Sequence, residues 1–525
     1  MTALQLVWFK RDLRVHDHEP LARAASEGPV HCLYVIEPSL WQAPDSSSAQ
    51  LAFVLESLRE LDRDLRRHGL WLDVQIGEAV EVLAALRARV AIAALWSHQE
   101  TGNALSFARD RAVAAFCREH GIVWQEFRQH GVVRCLPSRD DWSARWLALM
   151  QQSVWRLPAQ PQSALAAEVS PLLTQPTVAI LRNVSTAGDD KPARQRGGRR
   201  AAENVLTSFW RSRLLRYRSG LSSPLTAASS CSRLSSYLAH GVLSLRAVVQ
   251  GTWALQAELA ADPRPGAAHA LRQLQAFEER LHWHCHFIQK LESEWQIEQR
   301  PVHQGFIGLR EAAFDPHRFA CWQRGETGLP LVDACMRYLA HTGWLNFRMR
   351  AMLVSVASYQ LWLHWPPLAQ HLAREFLDYE PGIHYPQIQM QSGVTGINVI
   401  RLYDPIKQAR DQDPQGQFVR RWLPALRRVP DSFLFEPWRM PVSLQQRCGV
   451  RIGSDFPAPV VDPGQSLIAA RERMYAWRQQ VNGSAESARV LEQHGSRWRQ
   501  RRDVDSRRKR DEQETPHGQL SLQGL

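Results

Sequence analysis

The first 135 residues alternate short apolar runs with helical patterns, and this alternation limits the fold more than any other feature of the sequence. Four runs have the length and composition of strands buried on both faces: Leu4–Phe9, Val30–Ile36, Leu72–Ile76 and Ile92–Trp96. The helical patterns between them end at Gly69 and Gly121, where a helix C-cap favours glycine. This alternation predicts a doubly wound parallel sheet, although the usual nucleotide-binding glycine motifs are missing.

The rest of the chain follows different patterns. Residues 136–200 include a stretch rich in Pro, Ser and Ala without a period, and we interpret them as an interdomain linker. From residue 201 to residue 480, long apolar periods predict an all-helical domain. Residues 481–525 are polar and basic, and they are expected to form a disordered tail. The α/β domain is therefore expected to span residues 1–135.

The composition excludes several classes of protein. No run reaches the roughly 18 apolar residues of a membrane span, and the N-terminus lacks an export signal, so we expect a cytoplasmic protein without a membrane segment. The eight cysteines include no CxxC pair, which argues against a zinc ribbon and a disulfide framework. The formal net charge is +12, but the segment Ser496–Arg510 supplies half of it. Net charge therefore says little about the folded body.

A serine-rich segment, Ser229–Tyr237, marks the start of a predicted helix. Unpaired backbone amides and the dipole at a helix start attract anions, and serine hydroxyls add hydrogen-bond donors. A phosphate or pyrophosphate would be stabilised there. By itself, such a pattern is more often an ordinary helix N-cap.

Several segments together resemble one family. Residues 325–337 read GETGLPLVDACMR and residues 342–350 read TGWLNFRMR, which resemble two segments of the FAD domain of photolyases and cryptochromes. The opening VWFKRDLRVHD at 7–17, FVRRWLP at 418–424 and EPW at 436–438 resemble further motifs of that family. The motifs keep the family's order and spacing from about Leu4 to Gln480. The resemblance implies an α/β antenna domain and an all-α domain that binds FAD.

The resemblance also implies the residues of the FAD site. They are Tyr217, Cys231, Ser232, Arg233, Leu234, Ser235, Phe277, Arg350, Asp378, Tyr379, Glu380 and His384. Cys231 stands where the family usually has threonine against the pyrophosphate. Arg350 and Asp378 are expected to form an ion pair beside the isoalloxazine, where an unpartnered buried charge would cost several kcal/mol. His384 matches the position that faces flavin N5, and we expect its imidazole to titrate near neutral pH.

Neighbouring positions imply contact with DNA. The residues are Arg280, Trp283, Phe347, Arg348 and Met390. Trp283 keeps the aromatic ring on which a flipped lesion stacks, whereas Arg280, Phe347 and Met390 replace the family's glutamate, asparagine and second stacking tryptophan. Extruding a pyrimidine dimer costs a few kcal/mol, and least in damaged or single-stranded DNA. Arg280, Arg348, Lys407 and Arg410 either contact phosphates or are ordinary solvated cations.

The electron path to the flavin is altered as well. The family's chain of three tryptophans corresponds here to Phe306, Trp365 and Ile388, so one tryptophan remains. Either photoreduction is slow or it uses another aromatic side chain; the candidates are Tyr385, Trp362 and Trp344. The catalytic residues that we expect are Trp365, His384 and Trp283.

No metal is expected. His282 and His286 share a helix face, but no further ligand group is evident, and we interpret the segment from His282 to His286 as a wall of the lesion pocket. An antenna pigment is expected in the N-terminal domain, near Gln99 and Glu100. The sequence leaves folate, deazaflavin and an empty pocket open.

Three functions are compatible with these patterns. In the leading one, the protein is a monomeric DNA photolyase, a light-dependent carbon–carbon lyase. An electron from light-excited, reduced FAD would open cyclobutane pyrimidine dimers in single- or double-stranded UV-damaged DNA. The second is a cryptochrome-like blue-light photoreceptor without repair activity, which the basic tail and the altered pocket favour. The third is a flavin-containing nucleic-acid binder whose tail supplies most of the affinity.

Overall fold

The structure is a computed structural model that describes residues 4–481 and 483–495, and its N-terminal domain is built on a five-stranded parallel sheet. The strands are β1 Leu4–Phe9, β2 Val30–Ile36, β3 Leu72–Ile76, β4 Ile92–His98 and β5 Val123–Phe127. Their order is β3-β2-β1-β4-β5, and every neighbouring pair is parallel. The predicted doubly wound sheet is therefore confirmed. The sequence missed β5, because this edge strand has no fully buried residue to mark it.

Helices cover both faces of this sheet: α1 Glu19–Glu27, α2 Pro38–Trp41, α3 Ser48–Arg66, α4 Ala79–Arg87 and α5 Ala104–Glu119. Successive side chains of β1 point to opposite faces. Trp8 belongs to the cluster with Leu83 of α4 and Val113 of α5, whereas Phe9 belongs to the cluster with Leu55 of α3. The sheet is thus buried on both sides, which explains its near-continuous apolar runs.

The predicted linker and tail both contain helices. Residues 136–200 form α6 Trp142–Gln151, α7 Pro171–Thr174, α8 Thr177–Val184 and the start of the next helix. The prediction of a disordered tail was wrong for α25, Ala485–His494, since His494 Nε2 lies 2.5 Å from Glu294 Oε2 and Val490 is buried. Residues 482 and 496–525 lie outside the described residues, and with them the basic segment.

The second domain is helical, as predicted. Its helices are α9 Arg199–Ser208, α10 Tyr217–Gly220, α11 Ala227–Ser230, α12 Ser235–Ala239, α13 Leu245–Ala261, α14 Ala267–Ser293, α15 Pro316–Arg324, α16 Pro330–Thr342, α17 Phe347–Ser355, α18 Trp365–Glu375, α19 Pro381–Ser392, α20 Pro405–Gln412, α21 Gln417–Trp422, α22 Asp431–Leu434, α23 Val442–Cys448 and α24 Pro463–Val481. Among the described helices, none is long and apolar enough to cross a membrane.

Gly241 separates α12 from α13 and lets the two domains approach each other. Its φ is +61°, and a Cβ there would lie 2.1 Å from the backbone oxygen of Arg11. Arg11, just after β1, donates to the carbonyl oxygens of Ala239 at 2.9 Å and Tyr379 at 2.8 Å. The end of the first strand therefore contacts the segment that precedes α19, where the predicted flavin site begins.

Candidate functional site

A cavity of about 100 Å³ lies between α17, α18 and α19. Its lining includes six of the predicted site residues: Phe347, Arg350, Asp378, Tyr379, Glu380 and His384. The segment Asp378–Glu380 joins α18 to α19, and Pro381 begins α19 at a position where no backbone N–H is needed. The fold thus brings together residues from three separate segments of the sequence.

Arg350 and Asp378 form an ion pair at this cavity. Arg350 Nη2 lies 2.8 and 3.0 Å from the two carboxylate oxygens of Asp378, and Arg350 Nε donates to the Leu345 carbonyl oxygen at 2.6 Å. The guanidinium also lies 3.9 Å from the ring centroid of Phe376. The Asp378 side chain is almost fully buried, so its charge depends on this partner.

His384 is buried beside the same cavity. Its Nε2 lies 2.8 Å from the carbonyl oxygen of Ala369, which can only accept, so Nε2 carries the hydrogen and Nδ1 is left as an acceptor. Burial, with a smaller contribution from the charge of Arg350, lowers the pKa of His384 to about 4. The prediction that this imidazole titrates near neutral pH was therefore wrong, because the sequence does not show how deeply the ring is buried.

Tyr379 and Glu380 connect the cavity to the α/β domain. The Tyr379 hydroxyl donates to Asp45 at 2.6 Å, and Glu380 Oε2 lies 3.0 Å from Arg11 Nη2. Burial raises the pKa of Glu380 to about 7, although the charge of Arg11 opposes this shift. Glu380 Oε1 is buried without a hydrogen-bond partner in the described chain. Both contacts join distant segments, so only the folded chain reveals them.

The serine-rich segment forms a turn rather than the start of a long helix, because α12 has only five residues. Within the described residues, the hydroxyls of Ser232 and Ser235 have no hydrogen-bond partner, whereas Leu234 is buried. Burial raises the pKa of the Cys231 thiol to about 11, so the group stays protonated and can donate. Free hydroxyl and thiol donors at adjacent positions fit a pyrophosphate group.

Phe277 and Tyr217 pack together near this turn. Their ring centroids are 6.0 Å apart, and Phe209 contacts both rings. The charge of Arg280 acts on the nearby Tyr217 hydroxyl and opposes the rise that burial causes in its pKa, and its guanidinium lies 5.1 Å from the ring centroid of Trp283. The arginine that replaces the family's glutamate is therefore held against two predicted site residues.

The predicted DNA-contacting residues differ in exposure. Trp283 on α14 is 47% exposed and Phe347 at the start of α17 is 46% exposed, both unusual for rings of this size. Arg348 and Met390 are half-buried. α14 and α17 both pack against α19, the helix that carries His384, and Phe347 lines the cavity beside it whereas Trp283 does not.

Two further cations that the sequence suggested for phosphate contact have carboxylate partners. Arg410 Nη2 lies 2.7 Å from Glu436, and Lys407 Nζ lies 3.5 Å from Asp411. These pairs are exposed and weak, but they reduce the charge available to DNA.

The residues of the altered electron path are buried, but they differ in their neighbours. Phe306, Trp365 and Ile388 all lie in the helical core, and Trp365 Nε1 has no partner in the described chain. Trp362 lies beneath the guanidinium groups of Arg310 and Arg473, at 4.8 and 5.0 Å.

Trp344 and Tyr385 complete this comparison. Trp344 has the guanidinium of Arg233 at 3.8 Å from its ring centroid. A cation on the ring face disfavours a positive charge on the ring. The ring of Tyr385 contacts His384 at 5.4 Å and Tyr379 at 6.5 Å, and no cation among the described residues lies over it.

The histidines of α14 pack against α6. His282 contacts Trp142 and Trp146, each at a centroid distance of 4.9 Å, and His286 accepts a hydrogen bond from Arg139 at 2.9 Å. Neither lines the cavity beside α19. Of the segment that we interpreted as a wall of the lesion pocket, His282 and His286 therefore contact residues of α6 and the loop before it, and Trp283 does not line this cavity either.

A different group, Asp12, His18 and His98, has the spacing of metal ligands. His18 Nε2 and His98 Nδ1 lie 2.9 and 2.6 Å from the same oxygen of Asp12, and His18 Nδ1 accepts from the Leu21 amide. Burial lowers the pKa of both histidines. Two neutral imidazoles that donate to one carboxylate account for this cluster without a metal.

A second cavity, of about 140 Å³, lies at the carboxyl ends of β1, β2 and β4. Parallel sheets bind ligands at this edge. Glu100 lines it and forms an ion pair with Arg109, which also contacts Glu37 at 2.5 Å. Gln99 instead extends the sheet, since its amide donates to the Phe127 carbonyl oxygen at 2.7 Å and its side chain is not part of the lining.

The fold and the two cavities define a two-domain protein with an α/β domain and an FAD-binding helical domain. Residues 277–476 match the family model for the FAD binding domain of DNA photolyase, and residues 5–140 match the model for DNA photolyase. The chain is 31% identical over 496 residues to Cryptochrome DASH of Gloeobacter violaceus, an alignment that covers 91% of this chain and 97% of that protein. It is 26% identical over 509 residues to the deoxyribodipyrimidine photo-lyase of Salmonella typhimurium, covering 88% and 97%.

Solved structures show the same fold. A class III photolyase from Agrobacterium tumefaciens has a TM-score of 0.76 at 23% identity and covers 91% of this chain and 98% of its own. An archaeal photolyase from Sulfolobus tokodaii with two FAD molecules has a TM-score of 0.70 at 22% identity and covers 90% and 99%. The chain belongs to the photolyase/cryptochrome family.

Proposed function

We propose that the protein is a DNA photolyase that splits cyclobutane pyrimidine dimers in UV-damaged DNA under blue light. One observation carries this proposal. The cavity lined by Arg350, Asp378 and His384 ends at Phe347, an exposed ring, so a lesion at the surface could approach a flavin held in the cavity. FAD, when bound, supplies the light-excited electron, and the chain supplies orientation and electrostatics.

Each residue that we propose for flavin contact has a role that its surroundings support. Arg350 neutralises Asp378 and fixes its orientation beside the flavin ring. Ser232 and Ser235 have free hydroxyls to donate to the pyrophosphate, and the Cys231 thiol adds a weaker donor. His384 presents an uncharged acceptor nitrogen at every pH above its low pKa.

The DNA side of the proposal depends on the two exposed rings. A base that leaves the duplex loses its stacking partners, and an exposed aromatic ring replaces them. Trp283 and Phe347 lie on two helices, α14 and α17, that pack against α19, the helix with His384. Arg348 and Arg280 would supply positive charge to nearby phosphates.

We also propose an antenna pigment at the cavity formed by the ends of β1, β2 and β4. The related archaeal photolyase from Sulfolobus tokodaii is described as holding two FAD molecules, with a light-harvesting role implied for one. The aromatic side chains Trp8, Tyr34 and Trp41 line the corresponding cavity of this chain, and Arg109 lies across it. The volume and lining do not favour folate over deazaflavin.

A cryptochrome-like photoreceptor is the second candidate function. Arg280, Phe347 and Met390 replace residues that the family uses at the lesion pocket, and a Cryptochrome DASH is among the curated relatives. In either function we expect a cytoplasmic monomer.

One experiment separates the two candidates. The purified protein, with its flavin fully reduced, is illuminated with blue light in the presence of single- or double-stranded DNA that contains cyclobutane dimers or (6-4) products. Loss of cyclobutane dimers is the expected result. Unchanged lesions at full flavin reduction would contradict repair and leave the photoreceptor. Identical samples that are kept in the dark serve as the control.

A further inference from the structure

A third cavity is the largest of the three described, and of its lining residues only Arg233 is among those predicted for the FAD site. It has a volume of about 580 Å³ and lies between α9, α11, α16 and α21, with Ala193 and Gln195 of the linker at one edge. Small-molecule sites typically have roughly 300–1,000 Å³. We call it the arginine cleft, after Arg213, Arg233 and Arg421 in its lining.

The arginine cleft is positively charged. Its lining contains three arginines and His341 but no Asp or Glu. In the described part of the chain, none of the three arginines forms an ion pair: Arg213 donates to backbone carbonyl oxygens, and Arg233 Nη2 to Gln195 Oε1 at 3.3 Å. Burial lowers the pKa of Arg233. The pKa of Arg213 is also lowered, by burial and by the positive charge of Arg233. An anion in the cleft would relieve this repulsion.

The backbone at Arg233 is unusual. Its φ is +60°, in the left-handed region that residues other than glycine rarely occupy. In this conformation the guanidinium lies flat on Trp344, at 3.8 Å from the ring centroid, and contributes to the cleft. Such strain clusters at functional sites, where the surrounding structure holds the residue in place.

One wall of the cleft is aromatic. The Tyr338 ring contacts Trp422 at 5.2 Å and Phe418 at 5.5 Å. Trp422 Nε1 is buried without a hydrogen-bond partner among the described residues. Asn204, Ser208 and Gln195 add neutral polar groups to the lining. Aromatic faces bind planar heterocycles, and arginine forks bind phosphate.

We propose that the arginine cleft is a nucleotide-binding site separate from the flavin cavity. The phosphates would lie against Arg213, Arg233 and Arg421, and the base against the wall of Tyr338 and Trp422. A plain inorganic anion would leave the aromatic wall unused and most of the volume unfilled. The inference does not depend on DNA repair, since the lining of the cleft shares no residue with the cavity beside α19.

The test is calorimetric titration of the FAD-loaded, full-length protein with three probes: ATP, pyrophosphate and adenosine. Saturation with FAD keeps the probes out of the flavin cavity. We expect ATP to bind more tightly than either partial probe, because it fills both parts of the cleft. Equal binding of ATP and pyrophosphate would overturn the assignment of the aromatic wall, and no binding of ATP at millimolar concentration would overturn the site.

Two variants locate the binding. Arg421→Gln, at an exposed position, is expected to weaken ATP about tenfold through one lost charge-assisted hydrogen bond. Trp422→Leu is expected to weaken the binding of ATP but not the binding of pyrophosphate. Arg427→Gln removes an exposed charge outside the cleft and serves as the matched control. All variants keep the basic tail. If ATP binds the wild type and Arg421→Gln with equal affinity, ATP binds outside the arginine cleft, which would contradict the proposal.

Discussion

His384 donates its Nε2 hydrogen to the carbonyl oxygen of Ala369 over 2.8 Å, which fixes the imidazole in one neutral tautomer. Burial of the ring lowers the pKa of His384 to about 4, although this hydrogen bond opposes the shift. The imidazole therefore faces the cavity as an acceptor and carries no charge at neutral pH.

The first prediction concerns stability against pH. The pKa of His384 is about 6.5 in the unfolded chain and about 4 in the folded one, so the unfolded state binds the proton more readily. The neutral imidazole therefore leaves the free energy of unfolding at its full value above about pH 6.5. As the pH falls toward 4, the free energy of unfolding decreases by up to about 3 kcal/mol through this residue. Thermal unfolding should show a smaller loss for His384→Asn over this interval. Identical losses in both proteins would disprove the burial of the ring.

The same pKa predicts the behaviour of the flavin near neutrality. Because His384 stays neutral, the absorption spectrum of the bound flavin should not change between about pH 6 and 8 through this residue. Spectra of the wild type and His384→Asn, recorded across that range, should each be independent of pH. A spectral transition near pH 6.5 that His384→Asn lacks would contradict this.

The second prediction concerns the ion pair. Arg350→Ala leaves the buried Asp378 carboxylate without its partner, which is expected to destabilise the site by about 3–5 kcal/mol. The flavin-to-protein absorbance ratio of the purified variant should fall well below that of the wild type. Arg324→Ala breaks an exposed pair with Glu326 and serves as the control, with unchanged flavin content. A full complement of flavin in Arg350→Ala would refute the role of the pair.

The third prediction concerns DNA. Trp283→Ala removes an exposed ring that we propose as a stacking platform, and stacking is worth about 1–3 kcal/mol per base. The affinity for DNA with a cyclobutane dimer should therefore fall roughly 5- to 150-fold, more than the affinity for undamaged DNA. Trp295→Ala is the matched control, since Trp295 is 53% exposed, lies beyond the end of α14 and is not among the residues that we assign to DNA contact. Equal effects of the two substitutions would argue against a lesion pocket at Trp283.

The fourth prediction concerns the route of electrons. Tyr385 contacts His384 and Tyr379 and has no cation on its ring, whereas Arg310 and Arg473 flank Trp362. Tyr385→Phe should slow the reduction of bound flavin under blue light with an external donor, and Trp362→Phe should leave it nearly unchanged. Absorbance at the flavin band, followed during illumination, measures both rates. The reverse order of effects would show that the flanking arginines do not set the route.

The positions of the four predicted strands and the order of the two domains followed from local patterns. Strands such as Val30–Ile36 are apolar along their length because both faces are covered, and this appears in the sequence directly. The pairing of Arg350 with Asp378 followed from family motifs at matched spacing. The half-exposed β5 and the ordered α25 were not predicted, since their stability comes from contacts with distant segments, such as His494 with Glu294.

By itself, the sequence determined the α/β-plus-helical architecture and the family's flavin motifs, because periodicity and motif spacing are properties of neighbouring residues. Only the tertiary structure decided which groups are desolvated and which face each other. It set the low pKa of His384, turned His282 and His286 toward α6, and gathered Arg213, Arg233 and Arg421 around one cleft. These are consequences of burial and of contacts between segments far apart in the chain, and no local pattern encodes them.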